Sequence, residues 1–408
     1  MPPPLRIAAL TSIYQRWSHA DVIFRHILDG YPPDGKERPN LQIVSMYVDQ
    51  ISTEAPRPDL SRGLAEKHGF KLCGSVEEAL TLGGKKLAVD GVISVFEHGE
   101  YPRNRYGQTM YPRRKIFEQI TRVFEEAGQA VPVFSDKHLS VKWDECVWMV
   151  ERARKLMVPF MAGSSIPGTH RDPSVELPRN CEIEAAVSIG YGHLEHYGFH
   201  AIEGMQCMVE RRKLAVAKPG EAPQQGVKAV TTHMGPEIWA KIDADPRVKR
   251  TFEAALSQVK SHAKGEVREV ARRDSGLIEI EYRDGLRAYI VMISGWIGEG
   301  DGGAFTFAAQ LKGVPEPIST LFYLDNRTET FPHFMLLMKA IDAMLRSGHA
   351  VSPVERTLLT SGITEMVMRS RARYGERIET PHLDVSYRPS EWPHGGEVPD
   401  WLKAARKN

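Results

Sequence analysis

Cysteine is scarce in this chain. Four cysteines in 408 residues, Cys73, Cys146, Cys181 and Cys207, lie far apart, which excludes a disulfide-stapled scaffold and a clustered thiolate metal site. Three of them sit in apolar-periodic or strand-like stretches and read as reduced core residues. An excess of either charge is also lacking. Lys plus Arg number 53 against 52 Asp plus Glu, so nothing points to a nucleic-acid or membrane partner. No apolar run approaches the roughly 20 residues that span a bilayer. The opening Met1-Pro2-Pro3-Pro4 leads into a strand with no basic segment and apolar stretch before it. These absences lead to the expectation of a cytoplasmic protein. With 42% hydrophobic and 26% charged residues, the composition is that of a globular chain long enough for two domains.

Glycine is missing where it would matter most. An apolar strand at 5–10 runs into Thr11-Ser12-Ile13-Tyr14-Gln15-Arg16-Trp17-Ser18-His19 and then a helix with Val22, Ile23, Phe24, Ile27 and Leu28 at apolar spacing. That is the first strand, turn and helix of a doubly wound sheet. In such a turn, G-x-G-x-x-G lets the backbone approach a pyrophosphate. Here the glycine positions fall on Thr11, Ile13 and Arg16 or Trp17, whose side chains fill that space. Either a dinucleotide is held differently, with the helix N-terminus and the Thr11 and Ser12 hydroxyls replacing glycine amides, or none binds.

The pattern up to about residue 162 alternates strand and helix. Strands are expected at 5–10, 41–47, 70–73, 91–96, 131–134 and 158–161, most of them continuous apolar runs suited to a sheet covered on both faces. Helices are expected at 60–68, 76–82, 115–127 and 143–157. Beyond residue 163 the texture changes: residues 278–291 alternate around Asp284-Gly285 as a hairpin does, with further strands at 182–189, 304–311 and 318–324. Helices are expected at 196–211, 333–346 and 353–372, a Pro/Gly loop at 218–226, and a turn at 296–303. The Met335 and Met338 stripe reads as core. The expected architecture is an α/β Rossmann-like doubly wound domain over 1–162, then an α+β domain over 163–385 with a large, mostly antiparallel open sheet. An extended tail follows over 386–408.

Ligands of a doubly wound sheet bind at the carboxyl ends of its strands. Those ends are rich in functional groups: Asp49-Gln50 after strand two, Glu97-His98-Gly99-Glu100-Tyr101 after strand four, Asp136-Lys137-His138 after strand five, and Ser164-Ser165 after strand six, with His170-Arg171 beyond. The order of these elements resembles the glucose-fructose oxidoreductase / inositol dehydrogenase (Gfo/Idh/MocA) family over residues 5 to 380 or so. Asp136-Lys137-His138 is similar to the family's Glu-Lys-Pro, and Arg171-Asp172-Pro173 to its Arg-x-Pro. The segment from His196 to Glu203 resembles its Asp-x-Gly-x-His-x-x-Asp helix start. The resemblance implies that Lys137 and His200 face each other across a cleft as an acid/base pair, supported by Tyr197 and Asp136, and that Asp49 stands at the ribose-binding position.

Three departures from that family pattern motivate a different expectation. The glycines are gone, the signature proline is His138, and the first acid of the second motif is His196. His196 and His200 at i, i+4 with Glu203 three further on would share one helical face. Together with His98 and His138 they suggest a divalent transition metal, zinc, manganese or iron. The alternative is a wet cleft whose histidines only hydrogen-bond. Glu97, Tyr101, Asn104, Arg113 and Arg171 are candidate substrate-binding groups, since arginine forks match carboxylates and phosphates. The resulting expectation is an enzyme acting on a polar, hydroxylated small molecule by acid/base chemistry as a lyase, hydrolase or isomerase, metal-assisted and with NAD(P) bound weakly or not at all. It would be a homo-oligomer through its C-terminal-domain sheet. The alternative keeps an NAD(P)-dependent sugar or cyclitol oxidoreductase with an altered phosphate-binding turn. A binding protein without catalysis is a third reading, against which the Lys137 and His200 pair speaks.

Overall fold

A computed structural model describes residues 2–52, 57–216, 218, 220–271, 273–297, 304–325 and 331–405. The turn expected at 296–303 lies outside the described residues from 298 onward, as do Ala217 and Pro219 around the Pro/Gly loop and residues 406–408 of the tail. The chain divides into two compact units. One comprises Met1–Asn104, Thr109–Gly163 and Phe334–Val354, the other Arg105–Gln108, Ser164–His333 and Glu355–Asn408.

The first unit alternates β1 (Leu5–Thr11), α1 (His19–Leu28), β2 (Leu41–Val48), α2 (Ser61–His68), β3 (Lys71–Cys73), α3 (Val76–Thr81), β4 (Gly91–Val95), α4 (Arg113–Ala127), β5 (Val133–Asp136), α5 (Trp143–Lys155) and β6 (Phe160–Gly163). Its six strands are parallel in the order β3-β2-β1-β4-β5-β6. β4, β5 and β6 are buried along their whole length, which suits the apolar residues that make up most of β4 and begin β5 and β6. Helix starts are set by caps. Ser18 accepts from the Asp21 N–H at the start of α1, and Ser75 from the Glu78 N–H at the start of α3. β5 and β6 begin two residues later than the apolar runs suggest. Pro132 and Pro159 have no N–H to give the ladder, so donation starts at the next residue, with the Val133 N–H on the Pro159 carbonyl.

The second unit contains β7 (Arg171–Asp172), β8 (Ile183–Gly190), α6 (Gly198–Val209), β9 (Val227–Met234), α7 (Pro236–Asp243), α8 (Pro246–Leu256), α9 (Val267–Val270), β10 (Gly276–Tyr282), β11 (Arg287–Met292), β12 (Phe305–Leu311) and β13 (Ile318–Phe322). α10 (Pro332–Ser347) runs back to the first unit from Phe334, and α11 (Val354–Ala372), β14 (Ile378–Glu379) and α12 (Asp400–Ala405) complete the chain. Eight strands pair in the order β14-β9-β10-β11-β8-β12-β13-β7, antiparallel except for β11 with β8. The hairpin turns at Gly285, whose φ of 96° a side chain would resist. No helix among the described residues is long and apolar enough to cross a membrane.

β12 is buried along its whole length and β8 along its last six residues, so alternate side chains on both faces of the sheet are covered within one chain. α8 packs on β8, β12 and β13, and α6 on β8, β11 and β12. Helices of the same chain therefore cover part of the broad sheet.

Candidate active site

In the first unit the strand order reverses between β1 and β4, and the segments leaving the carboxyl ends of β1, β2 and β4 line an open cavity of about 650 Å³. Its wall is polar, with Gln15 and Ser18 from the turn after β1, Gln50, Ser52 and Arg57 after β2, and Gly99 after β4. Gly99 is what opens this space. Its φ is 95°, and a Cβ there would stand 3.0 Å from both the Gln50 Oε1 and the Tyr101 ring.

The turn after β1 is braced from within. Thr11 Oγ1 lies 2.8 Å from the Ile13 carbonyl and 2.9 Å from that of Val95, and Ser12 Oγ donates to the Glu97 carbonyl at 2.7 Å. Both hydroxyls are fully buried, so they support the turn and do not face a ligand. Trp17 adopts a φ of 63° and is half exposed, and Asp21 accepts from its N–H at 2.8 Å. Asp49, at the end of β2, accepts from the phenols of Tyr47 and Tyr101, each at 2.7 Å. Burial and then the Asp49 carboxylate push the Tyr47 hydroxyl up to about 12 and raise that of Tyr101 also, so both remain donors.

A charged cluster is buried at the ends of β4 and β5. Glu97, 3% exposed, accepts from Lys137 Nζ at 2.8 Å on one oxygen and from Arg113 Nη2 at 2.6 Å on the other. Arg113 Nη1 lies 3.0 Å from His138 Nε2. A guanidinium can only donate, so that nitrogen accepts and His138 carries its proton on Nδ1. Lys137 sits at a φ of 61°, held by its N–H to the Gly163 carbonyl. A bulky residue in the left-handed region marks a constrained position. Beside it, the buried Asp136 accepts from His19 Nδ1 at 2.6 Å, and the His19 ring meets that of exposed His98 edge to face at 5.6 Å. His19 was not anticipated from sequence, where the first residue of a helix carries no signal of its partner 117 positions away. Asn104 is half-buried in the same unit.

The second unit holds the remaining residues. His200 Nδ1 lies 2.6 Å from Ser164 Oγ, and buried Glu203 accepts from Thr360 Oγ1 and from the Ser164 N–H. Burial raises the Glu203 carboxyl above its usual range. Tyr197 is at the N-terminal boundary of α6, its ring 4.8 Å from that of Tyr191. Arg171 is buried and donates to the Val175 and Pro167 carbonyls, so its fork ties two turns together and does not face a ligand.

The metal expectation is not met. α6 starts only at Gly198, so His196 lies in the preceding turn, within 3.2 Å of Glu195, and cannot share a helical face with His200. Glu203 is committed to Thr360 and Ser164, and His138 to Arg113. Among the described residues no group of three or more His, Cys, Asp or Glu could hold a metal ion.

No protein-family model and no curated protein matches the sequence. Solved structures do match. The GenD2 enzyme of gentamicin A biosynthesis, crystallised in complex with NAD, aligns with a TM-score of 0.56 at 13% identity, covering 93% of this chain and 97% of that one. Myo-inositol 2-dehydrogenase from Lactobacillus plantarum gives 0.54 at 9% identity over 92% and 99% of the two chains. A myo-inositol dehydrogenase from Corynebacterium glutamicum gives 0.53 at 13% over 92% and 98%. These findings overturn the expectation of a non-redox, metal-assisted enzyme without a nicotinamide site, because the architecture is one in which a dinucleotide is bound in a solved structure. With six parallel strands in one unit, eight mostly antiparallel strands in the other, and these neighbours spanning over nine-tenths of its length, the chain has the fold of the Gfo/Idh/MocA dehydrogenases.

Proposed function

We propose that the chain is an NAD(P)-dependent oxidoreductase acting on a polyhydroxylated small molecule, a sugar or a cyclitol. The observation that carries the reading is the polar cavity of about 650 Å³ at the switch point of the parallel sheet, where this class of sheet binds its ligands. The residues there fit a dinucleotide. Gly99 keeps the space open, and Arg57, Gln15, Ser18 and Ser52 offer a cation and neutral donors to phosphate and ribose, in place of absent glycine amides. Bound there, the cofactor would supply hydride transfer.

The chain's own residues supply orientation and proton handling. Glu97 and Arg113 hold Lys137 as a fixed, ordered group at the end of β5, suited to binding a substrate hydroxyl. Asp136 keeps the Nδ1 of His19 in donor form and so fixes that ring. The family resemblance adds His200 as the substrate-facing histidine of the second unit, with Tyr197 beside it. The near-balanced charge fits a small-molecule partner and no nucleic acid, and four free cysteines fit the reducing cytoplasm.

A panel of sugars and cyclitols offered with NAD⁺ or NADP⁺, read as reduced-nicotinamide absorbance, tests the reading. Turnover of at least one polyol, lost in Lys137→Met, is the expected result. Binding of neither dinucleotide would overturn it.

A further inference from the structure

The tautomer of His200 can be worked out from the hydrogen-bond capacity of its partner. Ser164 Oγ, on a side chain only 7% exposed, has two neighbours: the Ile166 N–H, which donates to it at 3.1 Å, and His200 Nδ1 at 2.6 Å. A serine hydroxyl carries one proton. If His200 Nδ1 were protonated it would donate to Ser164, and the buried hydroxyl proton would have no acceptor, which costs about 1–3 kcal/mol. The satisfied arrangement sends that proton to Nδ1. The imidazole proton is then on Nε2.

We propose that Ser164 is a positioning residue that fixes neutral His200 as the Nε2–H tautomer, which makes Nε2 a hydrogen-bond donor. This rests on the reading of His200 as a substrate-facing group. It also divides the labour of the site. A neutral ring with its proton on Nε2 can polarise a carbonyl or anchor a hydroxyl, but it cannot take the hydroxyl proton at that nitrogen. Proton transfer then falls to another group. The placement is local: the N–H of Ser164 is held by Glu203 Oε2 at 3.4 Å, so one residue engages α6 through both its backbone and its hydroxyl.

The test is ¹⁵N NMR of the full-length protein with labelled histidine, the His200 resonances being assigned by loss in His200→Gln. The expected result at neutral pH is a protonated Nε2 and an unprotonated Nδ1 whose resonance is displaced from that of a bare imine nitrogen by the serine hydrogen bond. Ser164→Ala should return Nδ1 to the bare-imine position, and Ser164→Thr should keep the displacement. A protonated Nδ1 in the wild type, or an Nδ1 already at the bare-imine position, would overturn the proposal even if Ser164→Ala failed to fold. Dinucleotide binding, measured on the same sample, separates the two claims. A protein that binds neither NADH nor NADPH loses the oxidoreductase reading whatever the tautomer, whereas an Nδ1–H ring in a protein that binds one of them removes this inference alone.

Discussion

Removing the carboxylate of Glu97 should be among the most costly single changes in the first unit. Glu97 is 3% exposed and shared by two cations, Lys137 at 2.8 Å and Arg113 at 2.6 Å. Breaking one buried ion pair by removing a partner typically costs about 3–5 kcal/mol, because an uncompensated charge stays buried. Glu97→Gln keeps the volume and leaves two such charges, so a loss of about 3–5 kcal/mol is the floor expected. Arg113→Met should cost less, since Glu97 still holds Lys137. A double-mutant cycle over the two positions should show a coupling of about 0.5–3 kcal/mol, as residues in one network do. Urea unfolding followed by tryptophan fluorescence, to which Trp17, Trp143 and Trp148 of the first unit contribute, measures this. A Glu97→Gln effect within about 0.5 kcal/mol, the range of an ordinary surface change, would refute the reasoning.

Other outcomes follow from the same geometry. Lys137→Met should lower turnover by about 10²–10⁴-fold, the usual contribution of a positioned acid/base group, with little change in melting temperature because the Glu97–Arg113 pair survives; near-native turnover would count against it. Arg57→Ala should weaken dinucleotide binding by about 10- to 100-fold, the equivalent of one charged hydrogen bond, as read by calorimetry. Burial lowers His26 from 6.5 to about 4. Between those values the unfolded chain binds a proton that the folded one refuses, so stability should fall as pH drops from 6.5 to about 4 and then level. His26→Phe should remove that part of the slope.

Much of the architecture was legible because its signals are local. Apolar-rich runs marked β1, β2 and β4, and Asp284-Gly285 marked the hairpin. β9 was missed because Val227-Lys228-Ala229-Val230-Thr231-Thr232-His233-Met234 owes its place to pairing with β10, and α7 and α8 were missed with it. The site was less legible. The missing glycines of the first turn looked decisive, yet the glycine that opens the cavity is Gly99, on another strand end. The His196 and His200 spacing suggested one helical face, but the helix begins at Gly198, two residues too late. The partners of Lys137, His19 and His200 are 40, 117 and 36 residues away in sequence, and no periodicity reports such contacts.

Isothermal titration of the purified protein with NADH and with NADPH tests the central claim most directly. The account predicts one site per chain for at least one of them, with a micromolar or tighter dissociation constant, about −8 kcal/mol or better. It also predicts that the Arg57→Ala protein binds more weakly while melting normally. Saturation by neither cofactor at millimolar concentration, in protein whose thermal unfolding is cooperative, would contradict it.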